Sequence, residues 1–93
     1  MYLIVAQVIG TGATASVGRL GSILEVSKDP GDGLEHVYAQ AMDGGALLAM
    51  FFVAPGLDTA ERTARKLCTR ALTTAPGLDG CVLGQLLGVE GIL

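Results

Sequence analysis

Ninety-three residues make one domain, 1–93, with room for a single modest core. Hydrophobic residues are 51% of the chain and charged ones 16%, more apolar material than a small monomer readily hides, so self-association is expected. A net charge of −3 argues against a polyanionic partner such as nucleic acid, and no apolar run approaches the ~20 residues that span a bilayer.

Tyr2–Ile9 is rich in Ile, Val and Leu, with Gln7 its one polar member, and is expected to be a buried strand. No basic segment precedes it and no clear cleavage site follows, so a strand of a cytoplasmic protein is expected rather than a leader. Gly10-Thr11-Gly12 breaks the run. From Thr14 to Ser27, Val17, Leu20 and Leu24 keep helical spacing behind a capping Thr14 or Ser16. Gly18 and Gly21 oppose a helix there, at roughly 1 kcal/mol each relative to Ala. A strand over Ser22–Val26 is the alternative; if the helix forms, the two glycines should mark close approach to the sheet or another helix. Lys28–Gly33 is dense in turn formers and is expected to be a mobile loop.

Glu35–Pro55 organises the chain. Its two extended runs, His36–Ala41 and Ala46–Ala54, are joined by Met42-Asp43-Gly44-Gly45, whose glycines supply the positive φ of a tight hairpin. The second run is apolar on both faces and should be a central strand covered on both sides. Asp58 with Glu61 three residues on resembles a capping box, and Ala60, Ala64, Leu67, Cys68, Ala71, Leu72 and Ala75 trace one helical stripe. Pro76-Gly77 stops that helix and Asp79-Gly80 turns the chain into a last strand, Cys81–Val89. Gly84 and Gly88 share one face of it by simple alternation. Gly91-Ile92-Leu93 leaves an apolar tail.

Strand, helix, strand, strand, helix, strand is the split βαβ, or ferredoxin-like, α+β arrangement: a four-stranded antiparallel sheet in the order 4-1-3-2 with two helices on one face. Its central strands are the first and third, the two runs that are apolar on both faces. The face without helices should then be apolar too, built from Leu48, Met50 and Phe52 or from the alternate set Leu47, Phe51 and Val53. Leu48, Met50 and Phe52 are taken as the interface of a two-fold, sheet-to-sheet homodimer.

Four candidate sites stand out. Gly10, Thr11, Gly12 and Thr14, between a strand and a helix, offer N–H groups and hydroxyls to an anionic ligand, although neither GxGxxG nor a P-loop is present. His36, Tyr38 and Gln40 share a strand face and, with Arg19, would be the working residues of an enzyme; a solvated edge strand explains the same three. Arg62, Arg65, Lys66 and Arg70, four of the six basic residues, form a helix face suited to an acidic partner or simply to water. Cys68 and Cys81 are too few and too far apart for a metal site or a disulfide framework, so no metal or cofactor is expected.

CxxC, RNA-binding aromatic motifs and any Asn are absent, which argues against the metal-carrying, RNA-binding and acylphosphatase versions of this topology. A small non-catalytic homodimer that binds a small molecule or a protein, for example within a biosynthetic pathway, is the leading expectation. A cofactor-free enzyme of the dimeric α/β-barrel type is the alternative, and an assembly or scaffolding protein recruiting chains through its strand edges a third.

Overall fold

The computed structural model describes residues 1–78 and 80–89; the apolar tail and Asp79 lie outside the described residues. Strand β1 (Tyr2–Ile9) leads through a short helix α1 (Thr11–Ala15) into α2 (Val17–Ser27). The hairpin follows as β2 (Leu34–Met42) and β3 (Gly45–Phe52), then helix α3 (Leu57–Thr74) and β4 (Val82–Val89). The fold is α+β, with one four-stranded sheet in the order β2-β3-β1-β4, every neighbouring pair antiparallel. Among the described residues this is the expected strand order, with three helices instead of two.

The extra helix comes from a break at Ser16. Its backbone closes α1 by donating to the Gly12 carbonyl (3.0 Å), while its own carbonyl accepts from Arg19 (2.8 Å) and Leu20 (3.1 Å) to open α2. Arg19 also donates to the Ser16 hydroxyl, 3.2 Å away, which satisfies an otherwise buried polar side chain. The glycines of α2 do not behave as expected. A Cβ on Gly18 would meet open space, and one on Gly21 would only touch the Val37 carbonyl at 3.8 Å, so neither marks a tight approach.

In the hairpin, Gly44 alone of the turn residues has positive φ (76°). Gly45 is required for a different reason: a Cβ there would collide with the Val8 carbonyl of β1. α3 begins one residue before the expected cap. Gly56 is its N-cap and makes no side-chain cap bond; Asp58 sits in the first turn, where its charge still suits the helix dipole. The stripe is as the spacing predicts, with Ala60, Ala64, Leu67, Cys68 and Ala71 all buried.

Period-two alternation decides which side of the sheet meets these helices. Ile4, Ala6 and Val8 of β1 and Leu48, Met50 and Phe52 of β3 are buried with the helix stripes in one core cluster. The expected interface trio is therefore corrected: Leu48, Met50 and Phe52 are 2%, 0% and 0% exposed and lie within the monomer's own core, out of reach of a partner. The parity of β3 is the opposite of the one expected, so Leu47, Ala49 and Phe51 face the side without helices.

β4 departs from simple alternation. Its pairing with β1 shifts between Ala6 and Val8, a bulge that places Leu83 opposite Val8 and Leu86 opposite Ala6. Gly84 and Gly88 consequently point to opposite sides. A Cβ on Gly88 would press on Glu61 and Leu57 of α3, whereas one on Gly84 would meet the Gln7 side chain 2.9 Å away.

The loop expected to be mobile is tied down at several points. The Arg70 guanidinium donates to the Ser27 carbonyl at the end of α2 (2.6 Å) and lies 3.3 Å from an Asp29 carboxylate oxygen and 3.8 Å from one of Asp32. Asp32 in turn accepts from the Asp29 amide at 2.8 Å. Arg70→Ala should lower stability by about 1–2 kcal/mol, mostly through the lost bond to the helix end, because the Asp29 pair is exposed and screened and the Asp32 pair is long at 3.8 Å. Urea melts read by circular dichroism, with and without high salt, check this: a loss that vanishes in salt would assign it to the ion pairs instead.

Candidate functional site

Among the described residues, no element covers the side of the sheet without helices. The register sets its composition. Leu3, Val5, Gln7 and Ile9 of β1 stand opposite Phe51, Ala49, Leu47 and Gly45 of β3, and β2 adds His36, Tyr38 and Gln40 opposite Phe51, Ala49 and Leu47. From β4 come Val82, Leu87 and Val89, opposite Ile9, Val5 and Leu3. None of these positions holds Asp, Glu, Lys or Arg. Tyr38 and Leu87 are each 63% exposed and Leu47 36%, although all three belong to the sheet that carries the core.

Two shallow hollows flank a ridge made by Val5 and Leu47. One is bordered by Gln7, Gly84, Gln85 and Leu87, with Arg65 of α3 at its margin; the other by Tyr38, Ala39, Gln40 and Ala49. Small residues open both: Gly84 in the first, Ala49 in the second. An aromatic ladder lies beside the second hollow and shares Tyr38 with it. The rings of Tyr38 and Phe51 meet edge to face with centroids 6.1 Å apart, and His36 lies 6.5 Å from Tyr38.

His36, Tyr38 and Gln40 do share this face, as their spacing predicts. Arg19 does not join them. It lies on the helix side of the sheet, bonded to Ser16 and bordering a groove with Ser22, Ile23 and Thr74. The four residues therefore do not form one site.

Gly10, Thr11, Gly12 and Thr14 are placed between β1 and the start of α1, but much of their hydrogen-bonding capacity is used internally. The Gly10 amide donates to the Gly44 carbonyl at 2.6 Å, and the Thr14 hydroxyl donates to the Gly45 carbonyl at 2.9 Å. The glycines serve packing: a Cβ on Gly10 (φ 141°) would press on Cys81, and one on Gly12 would collide with the Gly77 carbonyl. This segment joins the hairpin turn and the end of α3 to the sheet.

Cys68 is buried against Met50, with the two sulfurs 3.8 Å apart. Burial pushes its thiol up to about 12, against a smaller opposing effect of Arg65, so at neutral pH it is a protonated, unreactive core residue. Among the described residues no three His, Cys, Asp or Glu side chains come together as metal ligands would, and no helix is long and apolar enough to cross a membrane.

Gln7, Gln85, Val5 and Leu87 were not among the residues expected to form a site. The signal for Gln7 was present, since it is the one polar residue of β1 and shares parity with Leu3 and Val5. Gln85 was hidden by the bulge, which sequence alternation cannot locate. No protein-family model matches the chain, and neither a curated protein nor a solved structure does.

Proposed function

We propose that this chain is a small, non-catalytic protein of ferredoxin-like topology that works as a homodimer, its two sheets face to face, and binds a small molecule or a protein partner. The observation that carries this reading is the sheet face without helices, whose paired strand positions hold no Asp, Glu, Lys or Arg and present Val5, Leu47, Phe51, Tyr38 and Leu87 together. Four strands spaced ~4.8 Å apart and about eight residues long at ~3.4 Å per residue give a face of roughly 500 Å2 in projection. Two such faces together reach about 1,000 Å2, the lower bound for a specific association.

Charge supports the same partner. A chain of net charge −3 repels its own copy least through a surface poor in ionised groups: the paired strand positions of this face hold no Asp, Glu, Lys or Arg, and Arg65 of α3 borders one of its hollows. The opposite layer, where Arg62, Arg65 and Lys66 are exposed on α3, lacks that property.

A dimeric α/β-barrel enzyme is the second reading, favoured by the hollow that Tyr38 and Gln40 border with Val5 and Leu47. Its motive is weaker, since among the described residues His36 makes no side-chain hydrogen bond or salt bridge, and Arg19 is on the other side of the sheet. Native mass spectrometry of protein purified from its own host separates the two. A dimer that retains a defined ligand or partner protein is the expected result; a dimer that converts the bound small molecule on incubation would favour the enzyme.

A further inference from the structure

We propose that Gln7, Gln40 and Gln85 form a transverse row of amides that pairs with the same row of a second copy and fixes the register of the dimer. This rests on the sheet-to-sheet reading above and goes beyond it in naming what sets the alignment. The pairing places the three in line across the sheet. Gln40 is opposite Leu47, and Leu47 is opposite Gln7. Gln85 falls in the bulge between Leu83 and Leu86, beside Gln7.

Three observations carry the inference. The face is only just large enough for a specific interface, so a stable dimer has to use its middle. Gln7 lies in the middle of the face across the sheet, on one of the two central strands, and nearer their hairpin-turn end along them. Among the described residues, the side-chain hydrogen bonds of the protein involve none of the three amides.

Covering Gln7 with an apolar surface would strand a donor and an acceptor, and buried polar groups are nearly always paired. A primary amide offers both and is therefore complementary to itself. A two-fold axis presents each copy with the same row. Gly84 leaves space beside the Gln7 amide, where a Cβ would lie 2.9 Å from its oxygen. Polar groups set in an otherwise apolar interface are known to select one register at some loss of affinity.

The test compares wild type, Gln7→Glu, Gln7→Lys and Gln7→Leu by analytical ultracentrifugation at pH 8, with circular dichroism to verify folding. Gln7→Glu and Gln7→Lys alone should each raise the dimer dissociation constant at least a hundredfold, and an equimolar mixture should dimerise within about tenfold of wild type. Gln7→Leu should still dimerise but give more than one set of amide signals by NMR, for want of the register element. Unchanged dimerisation of both charged variants overturns the inference, as does failure of the mixture to recover. A single signal set for Gln7→Leu also overturns it. A Gln7→Glu protein that stays dimeric but loses a co-purifying small molecule overturns it too, assigning the amides to a ligand. A monomeric wild type instead removes the dimer reading beneath it.

Discussion

Phe52→Ala is expected to lower the stability of the fold by about 3–5 kcal/mol. Phe52 is the largest fully buried side chain, lying in the core cluster with Ile4, Met50 and Leu67. Truncation removes most of its apolar surface from the core and leaves a cavity that the surrounding sheet and helices only partly close. A domain of this size has a total stability of about 5–15 kcal/mol, so the variant should be marginal or unfolded at 37 °C. Urea unfolding followed by far-ultraviolet circular dichroism measures the loss. A change below about 1 kcal/mol would mean that Phe52 faces the open side, and the assignment of sides to β3 would be wrong.

Leu47→Asp is expected to do the reverse: the monomer folds, and the dimer is lost. Leu47 forms the ridge of the open face with Val5, one residue from the fully buried Leu48. A carboxylate there stays solvated in the monomer, and the stability of the monomer should change by less than about 1 kcal/mol. In the dimer it would be desolvated near an identical charge, so the dissociation constant should rise at least a hundredfold. Leu48→Asp, the same change one residue along, would bury a charge in the core and should abolish folding. Circular dichroism with size-exclusion chromatography of the pair distinguishes the two sides of β3 directly.

Much of the architecture was legible because it depends on periodicity and turn chemistry. The stripe of α3 and the glycine turn of the hairpin are local signals, and both are realised at the expected residues. Central placement of β1 and β3 followed from runs apolar on both faces. That same property concealed which side of β3 meets the helices. When both alternate sets, Leu47–Phe51 and Leu48–Phe52, are hydrophobic, parity carries no information and only the register with β1 decides it. The bulge in β4 was hard to place for a related reason: one extra residue reverses every later position, and of the two strand glycines that could mark a bulge, Gly84 and Gly88, only Gly84 lies in it.

The candidate site was less legible than the fold. His36, Tyr38 and Gln40 were placed together by strand alternation alone, whereas Arg19 could not be excluded from their side until the sheet separated them. Gly10–Thr14 suggested a ligand loop by its residue types, but its Gly10 amide and Thr14 hydroxyl are occupied by the hairpin turn, a contact across more than thirty residues. The loop at Lys28–Gly33 looked mobile because its composition says nothing of Arg70, which reaches it from another helix.

Glu35–Pro55 remains the organising stretch, with its two sides now assigned: Leu48, Met50 and Phe52 to the monomer's core, and Leu47, Ala49 and Phe51 to the proposed interface. Sedimentation equilibrium of the wild-type protein from about 1 to 100 µM tests this most directly, since specific associations of this size have dissociation constants in or below that range. The expected result is a dimer that Leu47→Asp converts to a folded monomer. A wild-type chain that sediments as a monomer across the whole range would contradict the account of the open sheet face.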